Sequence, residues 1–135
     1  MIGLVIVTHG TLGQELLKTA EFIIGVLDGC LTVSIDSVRS PESLREAVGT
    51  AIQAANRGNG VLVLTDMFGG TPSNISLSFL EEGRVEVLSG VNLPILLKAV
   101  QLRDRSLLAE AAQHIGEYGR KSINVAGELL GQGCT

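Results

Sequence analysis

The chain has 135 residues, of which 45% are hydrophobic and only 3% aromatic, and its formal net charge is −4. That composition supports an ordered core burying roughly two-thirds of the unfolded surface and argues for one domain rather than disorder. The acidic balance and sparse aromatics exclude the basic, stacking surface of a nucleic-acid binder, and no apolar run approaches the ~20 residues of a membrane helix.

The first run, "IGLVIVT" at 2–8, has the β-branched character of a buried parallel strand. Residues 12–28 then set Leu12, Leu16, Leu17, Ala20, Ile23, Ile24 and Leu27 on one helical stripe. "LTVSIDSV" at 31–38 alternates as a second strand. Ser40 is placed to cap a helix that Pro41 opens, with Leu44, Ala47, Val48, Ala51, Ile52 and Ala55 inward. "VLVLT" at 61–65 is a third strand, followed by "DMFGGTPSN" and a helix predicted from Pro72 to Glu82. "VEVLS" at 85–89 is a fourth strand, after which Asn92 and Pro94 open a short helix. A last helix over 104–119 turns Leu107, Leu108, Ala111, Ala112 and Ile115 inward. "SINVAG" reads as a final strand, and "GQGCT" at 131–135 reads as a frayed tail after a single domain over 1–130. Strands alternating with helices predict an α/β fold, a doubly wound and mostly parallel sheet with helices on both faces.

The start lacks the basic region and cleavage site of a secretory leader, so a cytoplasmic protein is expected. Cys30 and Cys134 lie far apart with no CxxC pair, and are expected as free thiols without metal or redox work. No cofactor or metal is implied.

Two ionisable residues end apolar strands, His9 after the first and Asp66 after the third. Ligands of open α/β sheets gather at the carboxyl ends of strands, and adjacent strands lie only ~4.8 Å apart. With the first and third strands adjacent, Asp66 can take a hydrogen bond from one ring nitrogen of His9, fixing its tautomer and aiming the other as nucleophile or base. Gly69 and Gly70 let the backbone approach a ligand, Thr71 can cap the helix that Pro72 begins, and Ser73 adds a hydroxyl. Free N–H groups at that helix start make an anion site suited to a phosphoryl group. The segment is not a P-loop, because it lacks the Gly-Lys-Ser/Thr ending. A His9–Asp66–Ser73 hydrolase triad is disfavoured by the absence of a G-x-S-x-G elbow. His114 reads as a partly exposed helix residue without chemistry.

"IVTHG" at the first strand end, "LTDMFGGTPSN" at the third, "SGVNLPILLKA" at 89–99 and the closing "GRKSINV" resemble the enzyme IIA component of the mannose family of the bacterial sugar phosphotransferase system. The resemblance implies a phosphohistidine carrier and a homodimer, with the final strand exchanged between subunits and paired antiparallel. It implies that His9 accepts phosphate from the histidine-containing phosphocarrier protein and passes it to an enzyme IIB partner, with Asp66 orienting the ring and Thr71 near the phosphate. Membrane contact would be indirect, through the permease complex. Some members carry a IIB domain after an Ala/Pro-rich linker; none follows here, which implies a free-standing or regulatory IIA. The alternatives are the phosphotransfer subunit of dihydroxyacetone kinase and a binding module whose phosphorylation state only signals.

Overall fold

Every residue from Ile2 to Thr8 is buried, as expected of a strand covered on both faces. The computed structural model describes residues 1–131. In chain order it has β1 (Gly3–His9), α1 (Leu12–Ile24), β2 (Cys30–Ile35), α2 (Pro41–Ala55), β3 (Val61–Thr65), α3 (Thr71–Leu77), β4 (Val85–Ser89), α4 (Leu93–Leu102), α5 (Leu108–Lys121) and α6 (Ala126–Gly131). The sheet order is β2-β1-β3-β4 and every pairing is parallel. The doubly wound α/β expectation holds.

Alternation along the central strands sorts the core by shape. Leu4, Ile6, Leu62 and Leu64 face one side, packing with Ala20 of α1, Leu96 of α4 and Ile115 of α5. Val5, Val7, Val61 and Val63 face the other, against Val48 and Ile52 of α2 and Ile75 beside them on α3. Each such side chain, fully buried, contributes about 1.5–3 kcal/mol before the entropy of ordering it is subtracted. Because α1 leaves β1 on one face and α3 leaves β3 on the other, a crevice opens between the carboxyl ends of β1 and β3. None of the described helices is long and apolar enough to cross a membrane.

Caps and turns set the element ends. Ser40 Oγ accepts from Ser43 N at 3.1 Å with Pro41 in the first turn, and Asn92 Oδ1 accepts from Ile95 N at 2.8 Å at the start of α4. Elsewhere the chain turns earlier than its apolar pattern suggests. α1 stops at Ile24 rather than residue 28 because Gly25 takes φ +90°, leaving Ile23 and Ile24 partly exposed. β2 ends at Ile35 because Asp36 Oδ1 accepts from the N–H groups of Val38 and Arg39. α3 ends at Leu77, well before Glu82. The last long helix starts at Leu108, so Leu107 lies outside it and is exposed.

The expected final strand is absent from the described chain. Ser122 is the C-cap of α5, residues 123–125 have no regular structure, and Ala126–Gly131 is helical with no buried residue. A strand needs a neighbour for its N–H and C=O groups, and this segment lies beside none among the described residues. The expected frayed tail lies outside the described residues, apart from Gly131, which ends α6.

Candidate functional site

Two buried threonines hold the ends of the two central strands. Thr8 Oγ1 accepts from Gly13 N at 2.8 Å, fastening the first turn of α1 to β1. Thr65 Oγ1 donates to Ser89 Oγ at 3.0 Å, and its carbonyl accepts from Gly90 N and Val91 N. The next residue along each strand is a candidate for the chemistry. His9 stands in register with Ile35 of β2, and Gly10, at φ +53°, turns the chain away while its N–H bonds the Ile35 carbonyl.

His9 and Asp66, 57 positions apart, meet as the pattern predicts. Nδ1 of His9 lies 2.8 Å from Asp66 Oδ2, and the His9 backbone N–H donates to the same oxygen at 3.0 Å. The other oxygen accepts from Met67 N at 3.0 Å. An ionised carboxylate only accepts, so Nδ1 carries the proton and Nε2 keeps its lone pair. Burial pushes the Asp66 carboxyl up, but the backbone and ring hydrogen bonds from His9 outweigh it and hold it below the usual carboxylate range. The Asp66 side chain is 13% exposed and that of His9 53%. A sheltered carboxylate therefore supports an open imidazole.

The glycine turn divides the remaining candidates. Gly69 is exposed at φ +94°, and Gly70 reaches the imidazole, as detailed below. Thr71 is the exposed first residue of α3, not its cap; Gly70 holds the N-cap position without any side chain. Ser73 is turned inward with Pro72 and Ser76 on the buried face of α3. It is fully buried, and its Oγ has no partner among the described residues. The structure thus brings together His9, Asp66 and Gly70, and does not bring Ser73 to the surface on which His9 stands. His114 is exposed on α5. Cys30 is buried and free, its thiol pushed up to about 11 by burial, while Cys134 lies outside the described residues. Among the described residues no three His, Cys, Asp or Glu side chains gather as metal ligands.

Motif reading passed over Met67 and Phe68, which stand 54% and 73% exposed directly after Asp66. Their signal in the sequence was two large apolar residues inside an otherwise polar turn. With Leu12, also exposed, they put large apolar side chains on the segments that directly follow His9 and Asp66.

A parallel sheet with a carboxylate-held imidazole open at its switch point defines an α/β protein that presents an oriented histidine at the carboxyl edge of its sheet. The family model described as PTS system fructose IIA component matches residues 3–116, and the chain belongs to that family. It is 31% identical over 131 residues to the PTS system fructose-specific EIIA component of Bacillus subtilis, covering 96% of this chain and 90% of that one. It is 34% identical over 104 residues to the PTS system mannose-specific EIIAB component of Escherichia coli, covering 76% of this chain but only 32% of that longer protein. Among solved structures, phosphotransferase system component EIIA from Streptococcus agalactiae superposes with a TM-score of 0.85 at 27% identity, covering 94% of this chain and 98% of that one.

Proposed function

We propose that this protein is a cytoplasmic phosphohistidine carrier of a sugar phosphotransferase system, with His9 as the transient phosphate acceptor. The observation that carries the reading is the 2.8 Å bond from Nδ1 to Asp66, which leaves Nε2 as the free nucleophile. The donor is the phosphohistidine of the phosphocarrier protein. The Nε2 lone pair forms the new N–P bond as the donor's N–P bond breaks, and the donor ring keeps the released electron pair. Positive charge leaves the donor ring and develops on His9, where the Asp66 carboxylate stabilises it; no proton need move. The same kind of bond is broken and made, so positioning and charge stabilisation suffice for catalysis. Transfer to an enzyme IIB partner runs the step in reverse against a second acceptor.

The openness of the site favours protein partners. A small-molecule site buries most of its ligand in a cleft, whereas His9 stands half exposed among Leu12, Met67 and Phe68. Exposed apolar side chains beside a reactive group suit transient docking of another protein. Gly69 and Thr71 flank the same opening and are read as its phosphate-side groups; the buried Ser73 hydroxyl is not.

A homodimer completes the reading. Beyond Val85, which bridges Glu81, the outer edge of β4 has no strand partner among the described residues and borders a cleft of about 470 Å³ lined by Val87, Ser89, Gly90, Gly116, Arg120 and Ile123. Ile123 and Val125 are exposed in the segment after α5. Antiparallel addition of that segment from a second copy would pair the edge and cover these residues.

The test is phosphorylation by the general phosphocarrier system with phosphoenolpyruvate, followed by intact mass and peptide mapping. Wild type gains one phosphoryl group on His9, and His9→Ala gains none. Label on His114, or undiminished labelling of His9→Ala, would defeat the reading. Labelling of His9 without transfer to any IIB would leave the acceptor and move the role to signalling.

A further inference from the structure

Gly69 and Gly70 are glycines for different reasons. Gly69 has φ +94°, in the left-handed region where the backbone itself favours glycine. Gly70 has φ −88° and ψ 174°, an extended conformation that any residue adopts. The path of the chain does not explain a glycine there, and His9 does. A Cβ on Gly70 would stand 2.9 Å from His9 Cε1 and 3.4 Å from Nε2. The first distance is shorter than real carbon contacts. Nor is the imidazole a loose side-chain end that could step aside, because Nδ1 is held by Asp66 on its other flank.

We propose that Gly70 is a positioning residue for His9: its bare backbone is the wall against which the ring rests. Asp66 holds one side of the imidazole and Gly70 backs Cε1, leaving Nε2 without a hydrogen-bond partner among the described residues. A methyl group at position 70 would push the ring off Asp66 and narrow the approach to Nε2. The inference rests on His9 being the phosphate acceptor, and it reverses the simpler use of a glycine as a place where ligand meets backbone. The close approach made possible here is that of the protein's own nucleophile.

The experiment is Gly70→Ala in wild-type and His9→Ala backgrounds. In the wild-type background the ring ¹⁵N signals of His9 lose the pattern of a single Nδ1–H tautomer. Phosphoryl uptake at saturating carrier protein falls about 100-fold, the scale expected when a reacting group is misplaced by about 1 Å. A purely structural role would not move the tautomer pattern. The thermal midpoint falls with Gly70→Ala when His9 is present and holds when His9 is alanine, because the clash has been removed. This second comparison answers even if the single variant folds poorly. Unchanged ring signals with unchanged uptake, or an equal loss of stability in both backgrounds, would overturn the proposal. A wild type that takes no phosphate would sink the reading of His9 while the ring signals still reported on Gly70.

Discussion

The two ends of the sheet are built with similar parts to opposite purposes. At the amino end Arg103, the C-cap of α4, is 5% exposed, and its Nε and Nη2 donate to the carbonyls of Ile2 and Gly29 at 3.0 and 2.9 Å. Its own carbonyl accepts from Ile2 N, so one residue ties down the starts of β1 and β2. At the carboxyl end the His9 ring bonds through a single nitrogen, half its surface is open, and its second nitrogen has no partner among the described residues. Glycine serves both places: a Cβ on Gly29 would meet Arg103 Nη2 at 2.8 Å, as one on Gly70 would meet His9. A buried polar side chain whose hydrogen bonds tie strands together holds structure, whereas one held in place with a lone pair facing solvent can do chemistry.

The largest effect that would sharpen this contrast comes from Asp66→Asn. The amide replaces the charge that fixes the Nδ1–H tautomer and balances the phosphorylated ring, so phosphoryl uptake should fall about 10- to 100-fold, as when orienting partners of other histidines are removed. The thermal midpoint should fall modestly, because one accepting oxygen becomes an NH2 that cannot accept, so either the His9 or the Met67 N–H loses its partner at a site open to water. Wild-type uptake by the variant would show that the carboxylate is only a turn cap.

The opposite pattern is expected at the other end. Arg103→Met leaves the Ile2 carbonyl without its side-chain donor and should cost about 2 to 3 kcal/mol in urea unfolding. Phosphoryl uptake under native conditions should be unchanged. Cys30 reports on the same end: with its thiol pushed up to about 11 by burial, it should resist alkylation near neutral pH in the folded protein. In a Cys134→Ser background, Arg103→Met should speed that alkylation. A variant that unfolds like wild type, or that loses uptake as strongly as Asp66→Asn, would break the division of labour between the two ends.

The carboxyl end was the more legible from sequence, for a physical reason. His9 and Asp66 each terminate an apolar run, so their polarity stood out against a regular pattern, and the one inference needed was that β1 and β3 are neighbours. Arg103 lies in a charged stretch, where an arginine ordinarily reads as solvated. Its partners are 101 and 74 positions away, so only the closed fold reveals them. The role of Gly70 was hidden differently, since a double glycine reads as a turn and only the ring's location separates the second from the first. Element ends drifted where a local bond overrode the apolar period, as Asp36 does after Ile35. The segment after α5 has the alternation of a strand but no strand partner among the described residues, and alternation alone does not say whether an edge lies within reach.

The smallest effect concerns pH, and its sign follows from the Asp66 carboxyl. Its value in the fold is lowered, because the hydrogen bonds from the His9 N–H and ring outweigh the burial that raises it. A carboxyl held below its unfolded value, near 4, contributes stability that is fully present above that value. The contribution is lost as pH falls through the folded value. The carboxyl's part of the stability difference between wild type and Asp66→Asn should therefore shrink as pH drops below about 4. Arg103→Met, which removes a guanidinium that stays charged across this range, should show no such convergence with wild type. Urea unfolding of the three proteins at a series of pH values separates the two ends. A wild-type to Asp66→Asn difference that persisted undiminished at the acid limit would mean that the carboxylate's charge contributes nothing to holding the imidazole.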